Sequence, residues 1–213
     1  MFKATKLVHF RDAADADARL RCADGLHEAA AAAGARRVLV APTLDGVRNG
    51  GDLLVHLQFD DEDRWRAAEG EVAAVLGNSA VAHVDGVEYR GEAAGTTEPR
   101  TSGGVYRTLL LRVDPDASDA AVERFEADLL RMPRYVPAIR SWQLSRVLRA
   151  EGASAWTHVW EQEFADLDAL TGPYLLHPVH WAHVDRWFDP ECPEIIVRDR
   201  VCHSFCEFEG SVL

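Results

Sequence analysis

The feature that most limits the fold of this chain is a repeated order of elements, with a period of about 103 residues. In the first copy, residues 5–10 predict a short strand. An Ala-, Leu- and Arg-rich helix follows over 15–33 and stops at Gly34, a residue that tolerates positive φ. Two β-type runs, 36–43 and 52–59, flank the turn-rich LDGVRNGG. A helix over 61–76 and a strand over 81–89 complete the copy. Residues 92–104 carry Gly, Thr and Pro and read as a linker between a half at 1–91 and a half at 105–213. The second copy has a strand over 105–113 and a helix over 117–131 with Ser118 near its N-cap. Strands at 139–149 and 156–164 follow, then a helix over 166–188 interrupted at Pro178 and a last strand over 194–208. Each half thus reads β-α-β-β-α-β, the α+β ferredoxin-like order. Helices cover one face of each sheet, so the two remaining faces must bury each other as a pseudo-dimeric α/β barrel in one chain. The space between the sheets is the expected place for a small-molecule pocket.

Composition narrows the partners. The net charge is −12 with no local basic run, which argues against nucleic acid. No apolar run approaches the 18 or so residues of a membrane helix, and the N-terminus does not read as a signal peptide. No membrane partner and a cytoplasmic location are therefore expected. Cys22, Cys192, Cys202 and Cys206, without an export signal, read as reduced thiols.

Three segments, YLLHPVH at 174–180, VDRWF at 184–188 and IIVRD at 195–199, follow the strand order above. With VPAI at 136–139 and Thr157-His158 upstream, they resemble the stress-responsive dimeric α/β-barrel (Dabb) family over about residues 104–208. Residues 1–91 resemble it in element order only, as a degenerate second copy. The resemblance therefore implies a fused version of the usual homodimer, either a monomeric pseudo-dimer or a homodimer of such chains. The second half is similar to olivetolic acid cyclase-type polyketide cyclases, lyases of secondary metabolism that close a linear poly-β-ketone by aldol condensation without cofactor or metal. That similarity implies His180 as general base, Asp199 as its partner, and Tyr174 and His158 in the pocket. Arg107 stands where the family has a pocket His on the first strand, and Leu129 where it has a second pocket Tyr. The implied role is a polyketide cyclase-like enzyme, as in antibiotic biosynthesis, acting on a polyketide-like or aromatic small molecule.

Aldol closure needs a base of near-neutral pKa and donors that stabilise an enolate. Asp199 would fix the tautomer of His180, while Tyr174 and Arg107 hold an oxygen; Arg suits a carboxylate-bearing substrate. On a last strand reading Ile195, Val197, Asp199, Val201 on one face, Asp199 would share the apolar interior. Five of six tryptophans lie in the second half, Trp160 among the substrate-facing candidates, which suits a flat ligand. His177 joins that set, although its place before Pro178 also suits a cap or hinge. His177, His180 and His183 at three-residue spacing sweep about 120° of a helix, and no fourth ligand is evident, so no metal is expected. Cys202 and Cys206 share a strand face opposite His203 and read as buried thiols; His9 and His56 read as hydrogen-bonded histidines. The alternative reading is an oxidoreductase, either a cofactor-free monooxygenase of electron-rich phenols or a haem enzyme with one axial His. A further alternative is a non-catalytic ligand-binding stress protein.

Overall fold

A computed structural model describes residues 1–12, 14–97 and 103–213. Strands β1 (Phe2–Phe10), β2 (Arg37–Pro42), β3 (Leu53–Phe59) and β4 (Val81–Arg90) form the first half with helices α1 (Ala16–Ala32) and α2 (Glu62–Leu76). The helices start where an acid can cap them. Asp15 accepts from the Ala18 N–H and Asp61 from the Arg64 N–H, satisfying donors that have no partner within the first turn. Strand β5 (Ala93–Thr96) lies inside the stretch read as a linker and pairs with β7; residues 98–102 of that stretch lie outside the described residues. The second half contains β6 (Gly104–Leu111), α3 (Asp119–Tyr135), β7 (Ser141–Glu151), β8 (His158–Phe164) and β9 (Cys202–Phe208).

The strands run β2-β3-β1-β4-β7-β8-β6-β9, so each half keeps the same internal order and β4 pairs with β7 across the junction. This is a nearly closed antiparallel barrel of two ferredoxin-like halves in one chain. At the other seam, between β2 and β9, a few bonds replace a ladder. Leu44 N donates to Phe205 O at 3.0 Å, and Arg48 and His203 exchange backbone bonds of 2.9 and 2.8 Å.

Strand parity sorts the side chains. Val105, Leu109, Trp160, Phe164 and Phe205 face α3 and the segment after β8, in one apolar core. Tyr106, Leu110, Val159, Cys202 and Cys206 face the barrel interior with Leu7, Leu54, Val87 and Tyr89 from the first half. That interior is full, contrary to the pocket expected there. Tyr89, Tyr106, Trp156 and Phe208 occupy it, and Val212 of the C-terminal tail inserts with 4% exposure. An eight-stranded barrel leaves room only for its own side chains. The polar ones pair with one another. Lys3 Nζ lies 3.4 Å from Glu161, which accepts from the Tyr106 hydroxyl at 2.8 Å, and Tyr106 meets His56 Nδ1 at 3.2 Å. His56 is thus a hydrogen-bonded core histidine, and Cys202 and Cys206 are buried thiols.

Two elements depart from expectation. In place of one helix over 166–188 there is a turn of α-helix (Leu167–Ala169), wide turns at Leu170–Tyr174 and His180–Val184, and a tight one at Asp185–Trp187. Pro173 and Pro178 lack the N–H that a regular helix needs, so the chain re-closes with wider turns. The last strand starts at Cys202, not at residue 194. Ile196 N and Val197 N both donate to Trp187 O, and Asp114 N donates to Ile196 O, so this stretch binds the helical layer instead of the sheet.

Candidate functional site

The cavity with chemistry in it lies on the helix side of the second half, not between the sheets. About 240 Å³ in volume, it is bounded by Arg107 and Leu109 of β6, Trp160 of β8, His203 of β9 and Leu129 of α3. Tyr174, His180 and Asp185 come from the irregular segment, and Arg48 comes from the first half. A larger groove of about 610 Å³ follows the β2–β9 seam, but the ionisable residues lining it are Asp166, Glu207 and Glu209, with no His, Lys or Arg among them.

Arg107 is 3% exposed. Its Nε donates to His203 Nε2 at 2.6 Å, its Nη1 to Gln162 Oε1, and its guanidinium lies 5.1 Å from the Tyr174 ring centre. No carboxylate pairs with it among the described residues. Burial accordingly pulls its pKa down. Five N–H donors less the two used leave three for a ligand. His203 is pushed down to about 2 by burial, then by the Arg107 cation and the neighbouring His180, so it stays neutral and accepts through Nε2. Burial raises the Tyr174 hydroxyl, against the pull of Arg107. The Tyr174 and His180 rings meet edge to face at 5.0 Å.

The partner of His180 is Asp185, Oδ1 lying 3.3 Å from Nδ1, and not Asp199. Asp199 sits instead on the surface against Arg112, in a separate recess with Asp114 and Arg198. Leaving the ladder at 195–201 removed the parity that would have turned it inward. The buried carboxylate facing histidines is Asp85 in the first half, with His83 Nε2 at 3.1 Å and His9 Nε2 at 3.7 Å.

His158 does not line the cavity either. Its Nε2 meets Glu126 Oε1 at 3.0 Å and its Nδ1 meets Thr157 at 2.9 Å, against α3. His177 accepts from the Val179 N–H at 3.2 Å, capping the restart after Pro178, and stands outside the cavity wall. His183 borders another recess with Asp128 and Tyr135, so the three histidines do not converge. No group of three His, Cys, Asp or Glu is placed to hold a metal among the described residues. Of the tryptophans only Trp160 forms part of the wall; Trp187 donates to Asp128 in the core, Trp156 lies in the barrel and Trp181 is exposed. Tyr174, His180, Arg107 and Trp160 are therefore brought together. Arg48, Asp185 and His203 join them without having been expected. The one available signal was the strand parity that set His203 opposite Cys202 and Cys206.

Among the described residues no helix is long and apolar enough to cross a membrane. No curated protein matches the chain in sequence. Residues 105–202 match the family described as Stress responsive A/B Barrel Domain, Dabb. Solved structures match over nearly the whole chain. An anthrone oxidase-like protein aligns with a TM-score of 0.68 at 12% identity, covering 99% of this chain and 91% of its own. A candidate monooxygenase from Fusobacterium nucleatum aligns with a TM-score of 0.61 at 10% identity, covering 99% and 95%. A substituted chlorite dismutase from Candidatus Nitrospira defluvii aligns with 0.55 at 10% identity, covering 96% and 90%. At such identities the likeness is one of fold, and neither it nor the family match supports a polyketide cyclase or lyase. Residues 105–202 are a Dabb domain, set in a chain that carries both halves of a dimeric α/β barrel fused in tandem.

Proposed function

We propose that this chain is a cofactor-free oxidoreductase of small aromatic molecules, acting on a substrate whose anion it forms and holds. The observation that carries the reading is a buried guanidinium without a counter-anion, Arg107, in the same cavity as an imidazole held by a carboxylate. A buried cation is costly unless an opposite charge meets it; among the described residues no carboxylate pairs with Arg107, so an anionic ligand is the partner the cavity calls for. Asp185 on Nδ1 leaves Nε2 of His180 as the basic atom. That nitrogen takes the proton of an acidic C–H or phenolic O–H, and Arg107 receives the resulting oxyanion. For an anthrone-type CH₂ group the sum is R₂CH₂ + O₂ → R₂C=O + H₂O. The carbanion gives its electrons to dioxygen and forms a C–O bond. Loss of the second C–H proton then breaks the O–O bond and releases water.

The oxidase and monooxygenase names among the structural neighbours favour oxidation over aldol closure, which shares only the first proton transfer. The Asp199–His180 pair implied by the cyclase resemblance is also not assembled. Both groups the reaction needs, a base and an oxyanion donor, are side chains of this cavity, so the reading calls for no cofactor. The test is oxygen uptake above the uncatalysed rate with anthrones, naphthols and hydroquinones. Turnover is expected with at least one class, falling by roughly 10²–10⁴-fold in His180→Ala. Uptake that is absent throughout, or unchanged in that variant, refutes the reading.

A further inference from the structure

We infer that Arg48, delivered from the first half, makes this cavity select aromatic substrates carrying a carboxylate remote from the group that ionises. The inference rests on the cavity being the substrate site, and it assigns the two cations different tasks. Arg107 lies on the floor beside His180 and Tyr174, where an oxyanion forms. Arg48 is exposed at the rim, and its guanidinium makes no ion pair or hydrogen bond with any described residue. The one acid bordering the cavity, Asp185, is spent on His180.

The position of Arg48 is built, not incidental. Its backbone exchanges two hydrogen bonds with His203, a residue of the cavity wall. The next residue, Asn49, has a φ of 52° and donates from Nδ2 to Val201 O at 3.0 Å. Gly50 then packs so closely that a Cβ would lie 2.6 Å from His203 O. Gly51 follows at φ 77°. Non-glycine residues avoid positive φ, so this turn spends strain to seat its first residue on β9. A flat ligand with its phenolic oxygen at Arg107 and its edge at Trp160 extends toward that rim. A guanidinium receives a carboxylate there through two parallel N–H bonds.

The experiment compares 2-naphthol with 6-hydroxy-2-naphthoate, by calorimetry and by quenching of tryptophan fluorescence, on the full chain. The carboxylate-bearing probe is expected to bind about fivefold more tightly or better, with an advantage that shrinks in high salt. In Arg48→Gln the two affinities should converge, and Arg48→Lys should keep part of the difference. Circular dichroism and the melting temperature establish that both variants fold. Equal affinities in the unmodified chain, no binding of either probe, or a preference unchanged in Arg48→Gln overturns the inference. The last result would place the carboxylate at Arg107. A carboxylate preference that depends on Arg48 but comes without oxygen uptake leaves this inference standing and removes the proposed reaction.

Discussion

Arg107 and His203 show how one contact sets two chemical states. Arg107 must donate through Nε, so His203 must present a bare Nε2 and remain neutral, with its pKa pushed down to about 2. In the unfolded chain the same imidazole titrates near its ordinary 6.5. Below that pH the unfolded state takes a proton that the folded state refuses, so stability is lost as pH falls. The loss reaches at most about 1.4 kcal/mol per unit and ends near the folded pKa. His56 and His158 are lowered by burial as well and add to the same trend. Urea unfolding at pH 7 and pH 5 should show the unmodified chain losing stability. His203→Gln, which keeps an acceptor for Arg107, should lose less. Identical losses would mean that His203 does not titrate as its surroundings require.

At the scale of elements, the turn 48–51 and the helix α2 carry glycines of opposite meaning. A Cβ at Gly50 would press on backbone, the carbonyl of His203, which cannot step aside without opening the seam. Gly50→Ala should therefore cost about 1–3 kcal/mol and weaken any carboxylate preference of the cavity. Gly70, in α2, has nothing within 4 Å of a Cβ, so Gly70→Ala should stabilise by roughly 0.5–1 kcal/mol through helix propensity alone. Thermal melts of the two variants should move in opposite directions. A Gly50→Ala melt at or above that of the unmodified chain would mean that the turn is not held against β9.

At the scale of the whole molecule, the two halves are bound by the contents of the barrel. Lys3 of the first half reaches Glu161 and Gln143 of the second, and His56 reaches Tyr106. Cutting the chain at the linker would leave Glu161 without its cation and expose Tyr106, Val159 and Cys206 to water. Residues 105–213 alone should therefore dimerise or aggregate. Size-exclusion chromatography with light scattering is the check, and a monomeric, fully folded fragment would contradict it. The tandem order of elements was legible because each strand and helix announces itself locally. Gly34 follows α1, acids cap α1 and α2, and alternation runs through each strand. Residues 195–201 were not legible, since their β-type composition serves contacts with Trp187 and Asp114 in the layer above.

By itself the sequence determined the duplicated ferredoxin-like order, the break at Pro178, and the division of β9 into buried thiols on one face and His203 on the other. These are consequences of local parity, proline chemistry and glycine freedom, which a chain carries wherever it folds. Tertiary structure alone decided which charges meet. It gave His180 the carboxylate of Asp185, sent Asp199 to Arg112, turned His158 to Glu126, and brought Arg48 to a cavity formed mostly by residues after position 100. The reason is physical. Parity tells a side chain which face of its own strand to take, but the group it finds there belongs to a segment far away in sequence. That segment is placed by the closing of the barrel and by the burial of the helical layer against it.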